Sequence, residues 1–165
     1  MDTKYLRNCL WLTAPPLLFN LAFMGLLPPA FSAAVFERDI PAAVAVPENI
    51  LRVMLFALPV LMPLRVDTPR RRAGMAFYLT GIALYFLAWL PLMVMPESSW
   101  STSLLGFMAP AYTPLLWLAG IALLGDTLFL RVPYRWWFYL LLTALFLAFH
   151  NTHVWLVYAR LRGAG

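Results

Sequence analysis

Residues 136–158 read WWFYLLLTALFLAFHNTHVWLVY, an apolar run without a single Lys, Arg, Asp or Glu. A helix needs about 20 such residues to cross a ~30 Å hydrocarbon core, and this stretch is long enough. Working back toward the N-terminus, four further apolar segments run from Asn8 to Phe31, Asn49 to Leu64, Gly74 to Met95 and Leu104 to Leu130, divided by short charged loops. Lipid offers no hydrogen bonds to an open backbone, so spanning segments are helices or closed barrels, and unbroken apolar runs lack the alternation of barrel strands. The expected fold is an all-α integral membrane protein, a bundle of five transmembrane helices. The alternative is four spans plus one re-entrant or interfacial segment.

Composition supports the bilayer as solvent. Of the 165 residues 63% are hydrophobic and 12% charged, too few polar groups to cover a water-soluble core. The loops leave no room for a separate soluble domain, so residues 1–165 are read as one polytopic unit whose chemistry lies among the helices or at their ends. The net charge of +5 comes from basic residues scattered beside the spans rather than gathered on one face, which argues against a nucleic-acid partner. The single Cys9 excludes an internal disulfide and thiol exchange within one chain.

Those basic residues are topology signals. In one arrangement Lys4, Arg7, Arg65, Arg70, Arg71, Arg72, Arg131 and Arg135 share a side, against Arg38, Arg52, Arg160 and Arg162 on the other. The richer side is expected to be cytoplasmic, with the N-terminus inside and the C-terminus outside. Arg160 and Arg162 weigh against this, because four spans would put the C-terminus inside. A bacterial inner (cytoplasmic) membrane is the expected location. The first segment, preceded by Lys4 and Arg7 and ending in small residues near Ala30, has features of a signal peptide, but its apolar stretch is longer than a usual signal core and it is expected to be retained.

Proline interrupts every segment but the last, and each internal proline frees a carbonyl one turn earlier that hydroxyls, water or a neighbouring helix must satisfy. Pro47 and Glu48 read as the entry to the second helix, which makes Glu48 a structural residue at the positive end of the dipole. Arg52, inside that helix's first turn, is expected to snorkel outward. Trp100 and the Trp136/Trp137 pair suit interfacial anchors. No internal repeat of the kind found in many transporters is visible.

In the last segment Tyr139, Thr143, His150 and His153 fall at spacings of four, seven and three, and so share one helix face. Both histidines of the chain lie on it, and an ionisable residue inside a membrane is a functional candidate by default. Three readings compete. His150 and His153 would converge on a metal or haem, with Met93, Met95, Met108 and Glu97 at similar depth as poor supporting ligands. His150 would move a proton as the candidate catalytic residue, although its carboxylate partner would have to be Glu48 or Glu97 folded over the helix ends. Or both histidines would be packed and hydrogen-bonded to Asn20, Tyr112, Thr113 or freed carbonyls.

Small residues form the other pattern. Gly74, Tyr78, Gly81, Tyr85 and Ala88 make one face of the third segment, and Gly106, Ala109, Thr113 and Gly120 one face of the fourth, as close helix approach requires. The intervening tyrosines, with Trp89, Trp117 and Trp155, would border a pocket for an apolar ligand. Candidate ligand-binding residues are therefore Tyr78, Tyr85, Tyr112, Thr113, Tyr139, Thr143, His150 and His153. No GxxxxGK[ST], HExxH or GxSxG motif and no paired intramembrane acids occur, which removes the common hydrolase plans.

The reading that follows is a small non-catalytic multi-pass protein that binds an apolar ligand (lipid, sterol, tetrapyrrole or quinone) or serves as accessory subunit of a larger membrane complex or homo-oligomer. The alternative is a small intramembrane enzyme or metal or haem protein centred on His150 and His153. No cofactor is expected.

Overall fold

The computed structural model describes residues 7–163; Lys4 of the charge pattern lies outside them. Among these residues there is no strand, and helices account for most of the chain. Helix α1 (Ala14–Phe23) is extended on both sides by 3-10 turns, α2 (Ala33–Phe36) is one turn, and α3 (Ala42–Ala57) runs on into a 3-10 turn. Then follow α4 (Pro69–Val94), α5 (Leu104–Tyr112), α6 (Pro114–Leu124) and α7 (Trp136–Gly163). Five stretches are long and apolar enough to cross a membrane: Cys9–Leu26, Ala42–Leu61, Pro69–Val94, Leu104–Leu124 and Trp136–Gly163. The protein is thus a multi-pass helical membrane protein.

Two boundaries depart from expectation. The second helix begins at Ala42 rather than at Pro47, which lies inside it, so Glu48 sits in its second turn and not at its entry. Residues Ala42 to Val46 are good enough helix formers to build a turn ahead of the proline, which costs only one backbone bond there. The last helix continues past Tyr158 to Gly163, with Arg160 and Arg162 in its final turn, where cations suit the negative end of the dipole.

The tightest packing is between α4 and α6. A Cβ on Gly120 would lie 2.5 Å from the Tyr78 amide nitrogen and 2.7 Å from the Gly74 carbonyl oxygen, and one on Gly81 would run into the backbone of Trp117. Only hydrogen fits at these crossings, which is what small-residue faces provide in a membrane. Gly106 belongs elsewhere: it gives way to the Trp100 carbonyl, tightening the turn before α5 rather than the α4/α6 contact.

Prolines and tyrosines are matched across helices. Pro16 leaves the Leu12 carbonyl without its helical donor, and the Tyr78 hydroxyl donates to that oxygen at 2.9 Å. Pro59 does the same to Leu55, whose carbonyl accepts from the Tyr139 hydroxyl at 3.0 Å. Tyr139→Phe is expected to cost about 1–2 kcal/mol, because a buried acceptor is left unmatched. Adding Pro59→Ala, which returns an N–H to Leu55, should recover part of the loss; reversible unfolding in bicelles of both single variants and the double variant checks this.

The ends of the bundle are tied separately. At one end the Cys9 amide donates to the Met62 carbonyl at 2.9 Å, and Arg71 is clamped between Asp126 at 2.7 Å and Asp67 at 2.5 Å. The hydrogen bond from Arg71 holds the Asp67 carboxyl below its ordinary range. At the other end Arg160 donates to the Val35 and Arg38 carbonyls, and Arg162 and Tyr158 both donate to the Thr102 carbonyl. Arg7, Arg65 and Arg70 to Arg72 therefore lie at the end opposite Arg38, Arg160 and Arg162.

Candidate functional site

Glu48 is the centre of the polar cluster. Its side chain is 1% exposed, inside a helix whose neighbours are almost all apolar. Four residues on, Arg52 turns back along α3 and donates to Oε1, and its other terminal nitrogen donates to Asn49 Oδ1 at 3.1 Å. This spacing brings two side chains together on one helix face. Arg52 thus reaches back one turn toward the N-terminal end of α3, where a buried carboxylate is its partner.

From α7, His150 Nδ1 lies 2.9 Å from Oε1 and His153 Nδ1 lies 2.6 Å from Oε2 of the same carboxylate. The three-residue spacing places both imidazoles on the α3-facing side of α7, and Glu48 bridges them. His153 is fully buried; its Nε2 is 3.1 Å from the Phe36 carbonyl and its ring stacks on Phe36 at 4.4 Å. His150 stacks on Phe146 at 5.3 Å and its side chain keeps 20% exposure.

The proton count of this cluster follows from donors and acceptors. Arg52 has donors only and is always charged, so it fixes Oε1 as an acceptor, and His150 Nδ1 must donate to it. His153 faces an acceptor on each side, Oε2 and the Phe36 carbonyl. A carboxylate with a singly protonated imidazole can make only one of those two bonds. Both bonds are made together only when the Glu48/His153 pair carries a second proton along the 2.6 Å contact.

Beside the cluster opens a cavity of about 430 Å³. Its wall is aromatic and aliphatic, with Phe31, Phe56, Tyr85, Trp89, Phe107, Trp117 and Phe146 contributed from six elements of the chain. The polar groups on it are Asn20, Arg52, Tyr85 and His150. Asn20 and Tyr85 satisfy each other, the hydroxyl donating to Oδ1 at 2.7 Å. Volume and lining fall in the range typical of small-molecule sites.

The residues expected at a site divide into those on this cavity and those elsewhere. Tyr85 and His150 line it, and His153 is reached from His150 through Glu48, two hydrogen bonds behind it. The hydroxyls of Tyr78 and Tyr139 are committed to the proline-freed carbonyls. Tyr112 is half exposed and donates to the Leu105 carbonyl, while Thr113 donates to the Ala109 carbonyl at the α5/α6 break. Thr143 is buried with its hydroxyl unpartnered. The histidines do not bond to Asn20, Tyr112 or Thr113; Asn151 instead ties α7 to the Ala111 carbonyl.

The suggested metal ligands are not assembled. Met95 and Glu97 are exposed and Met93 packs against the apolar core, while the Nδ1 atoms of both histidines face Glu48. Among the described residues no group of three or more His, Cys, Asp or Glu is placed to hold a metal ion.

The sequence offered Glu48 both as a helix-entry residue and, beside Glu97, as a candidate carboxylate partner of His150; the structure places Glu48 against both histidines. The signal available was the Glu48/Arg52 spacing of four, which marks a self-paired charge on a membrane helix. Comparison with family models, curated proteins and solved structures finds no match for this chain.

Proposed function

We propose that this protein is a non-catalytic membrane protein that binds an apolar small ligand in the cavity beside Glu48, Arg52 and His150. The single observation that supports this most is the enclosure itself: about 430 Å³ of largely aromatic wall with its polar groups gathered at His150, Arg52 and the Asn20/Tyr85 pair. A ligand with one polar end and an apolar body matches such a lining. Under this reading the N-terminus is cytoplasmic, as the Lys and Arg distribution favours, and the cavity opens in the outer half of the bundle. The Glu48 bridge serves to hold α3 against α7 and so keep the cavity wall in shape.

Ala111 is a small buried residue on the cavity wall. Ala111→Phe is expected to fill the cavity. Native mass spectrometry of protein gently extracted from its membrane should find an apolar mass on the parent chain and none on this variant, with both unfolding at similar temperatures. A bare parent chain, or a variant that keeps the mass, would remove the proposal.

A further inference from the structure

His150 places an imidazole on the cavity wall beside the Glu48/Arg52 pair. Its Nδ1 donates to Glu48 Oε1, an oxygen already fixed as an acceptor by Arg52. The other oxygen of the same carboxylate faces His153 Nδ1 at 2.6 Å. With its Nδ1 proton turned to Glu48, His150 acts toward the cavity through the other ring nitrogen. A neutral imidazole with Nδ1–H has a lone pair on Nε2. The ring keeps 20% exposure and lines the cavity, and among the described residues only Nδ1 of His150 is engaged in a hydrogen bond.

Arg52 does not compete for the same ligand atom, because a guanidinium only donates and already does so to Glu48 and Asn49. The Tyr85 hydroxyl is turned to Asn20 Oδ1. At His150 the demand is for a donor.

We infer that the ligand is a hydroxyl-bearing apolar molecule, a phenol, hydroquinone or sterol-like alcohol, whose O–H donates to His150 Nε2 while its ring system lies against Trp89, Trp117 and Phe146. This rests on the proposed ligand cavity and narrows it. A fully oxidised quinone, which carries only carbonyl acceptors, meets a lone pair at His150 and is disfavoured. The Glu48 bridge sets the tautomer that makes the discrimination, so Glu48 and His153 are positioning residues and His150 is the contact.

The test uses matched probes in nanodiscs: 1-hydroxypyrene and 1-methoxypyrene, at a pH below the ionisation of the phenol, with binding read by energy transfer from the chain's tryptophans and its loss in Ala111→Phe taken as the signal from the cavity. The parent chain is expected to bind the phenol about tenfold more tightly than the ether, a hydrogen bond's worth of about 1.4 kcal/mol. In His150→Phe, which keeps the ring that stacks on Phe146, both probes should bind within about twofold of each other. Equal binding of phenol and ether by the parent chain, or a preference that survives in His150→Phe, overturns the inference and leaves the apolar cavity standing. Tighter binding of 1-pyrenecarboxylate than of the phenol overturns it in favour of Arg52 as the contact. Failure of every probe to bind overturns the cavity reading itself and the inference with it.

Discussion

Glu48→Ala is expected to cost about 3 kcal/mol or more of stability, because removing one member of a buried charged cluster strands the others. Arg52, His150 and His153 all lose their acceptor at once, and His153 is left with an unmatched nitrogen at 1% exposure. Glu48→Gln separates charge from hydrogen bonding. The amide oxygen can accept from Arg52 and His150, and the amide nitrogen can donate to His153 Nδ1, freeing His153 Nε2–H for the Phe36 carbonyl. Every bond is then made with one proton fewer to place, so the glutamine variant should lose less than half of what alanine loses. Unfolding by denaturant titration in bicelles measures both. A glutamine variant as unstable as the alanine one would contradict the shared-proton description of the cluster.

The second large effect belongs to the α4/α6 crossing. Gly120→Ala puts a methyl 2.5 Å from a backbone nitrogen, and Gly81→Ala drives one into the Trp117 backbone. Neither clash can be relieved by a side chain swinging aside, so the helices must separate, at about 2–3 kcal/mol for each substitution. Once one methyl has opened the crossing, the second meets less resistance. The double variant should therefore lose less than the sum of the two. Gly25→Ala, where a Cβ meets nothing within 4 Å, is the matched control and should unfold with the parent. Additive losses in the double variant would mean that the two glycines relax independently.

The five spans were legible because lipid imposes one requirement, a long apolar run with internal hydrogen bonding, that can be seen without knowing what packs against what. The tight helix approach was legible for the same reason: Gly74, Gly81 and Gly120 recur at helical spacing. Partners were harder. That prolines would free carbonyls follows from proline itself, but that Tyr78 serves Leu12 and Tyr139 serves Leu55 depends on the rotation and depth of separate helices. The histidine stripe could be seen, yet its carboxylate lies 102 and 105 residues away on a helix whose start was misplaced by the turn ahead of Pro47. Glu48 and Glu97 could both be named as partners of His150, but choosing between them needed the depth and rotation of α3 against α7.

The Glu48/Arg52 pair also bears on how the chain is made. Translation delivers α3 to the membrane long before α7 exists, and a lone carboxylate or guanidinium in an apolar segment opposes insertion by up to about 3 kcal/mol near the centre. Because the two charges lie one turn apart on the same helix, α3 carries its own counter-ion into lipid and can wait there. The histidines of α7 arrive later and convert a provisional pair into the bridge between α3 and α7. The order of synthesis is thereby written into the spacing of four residues.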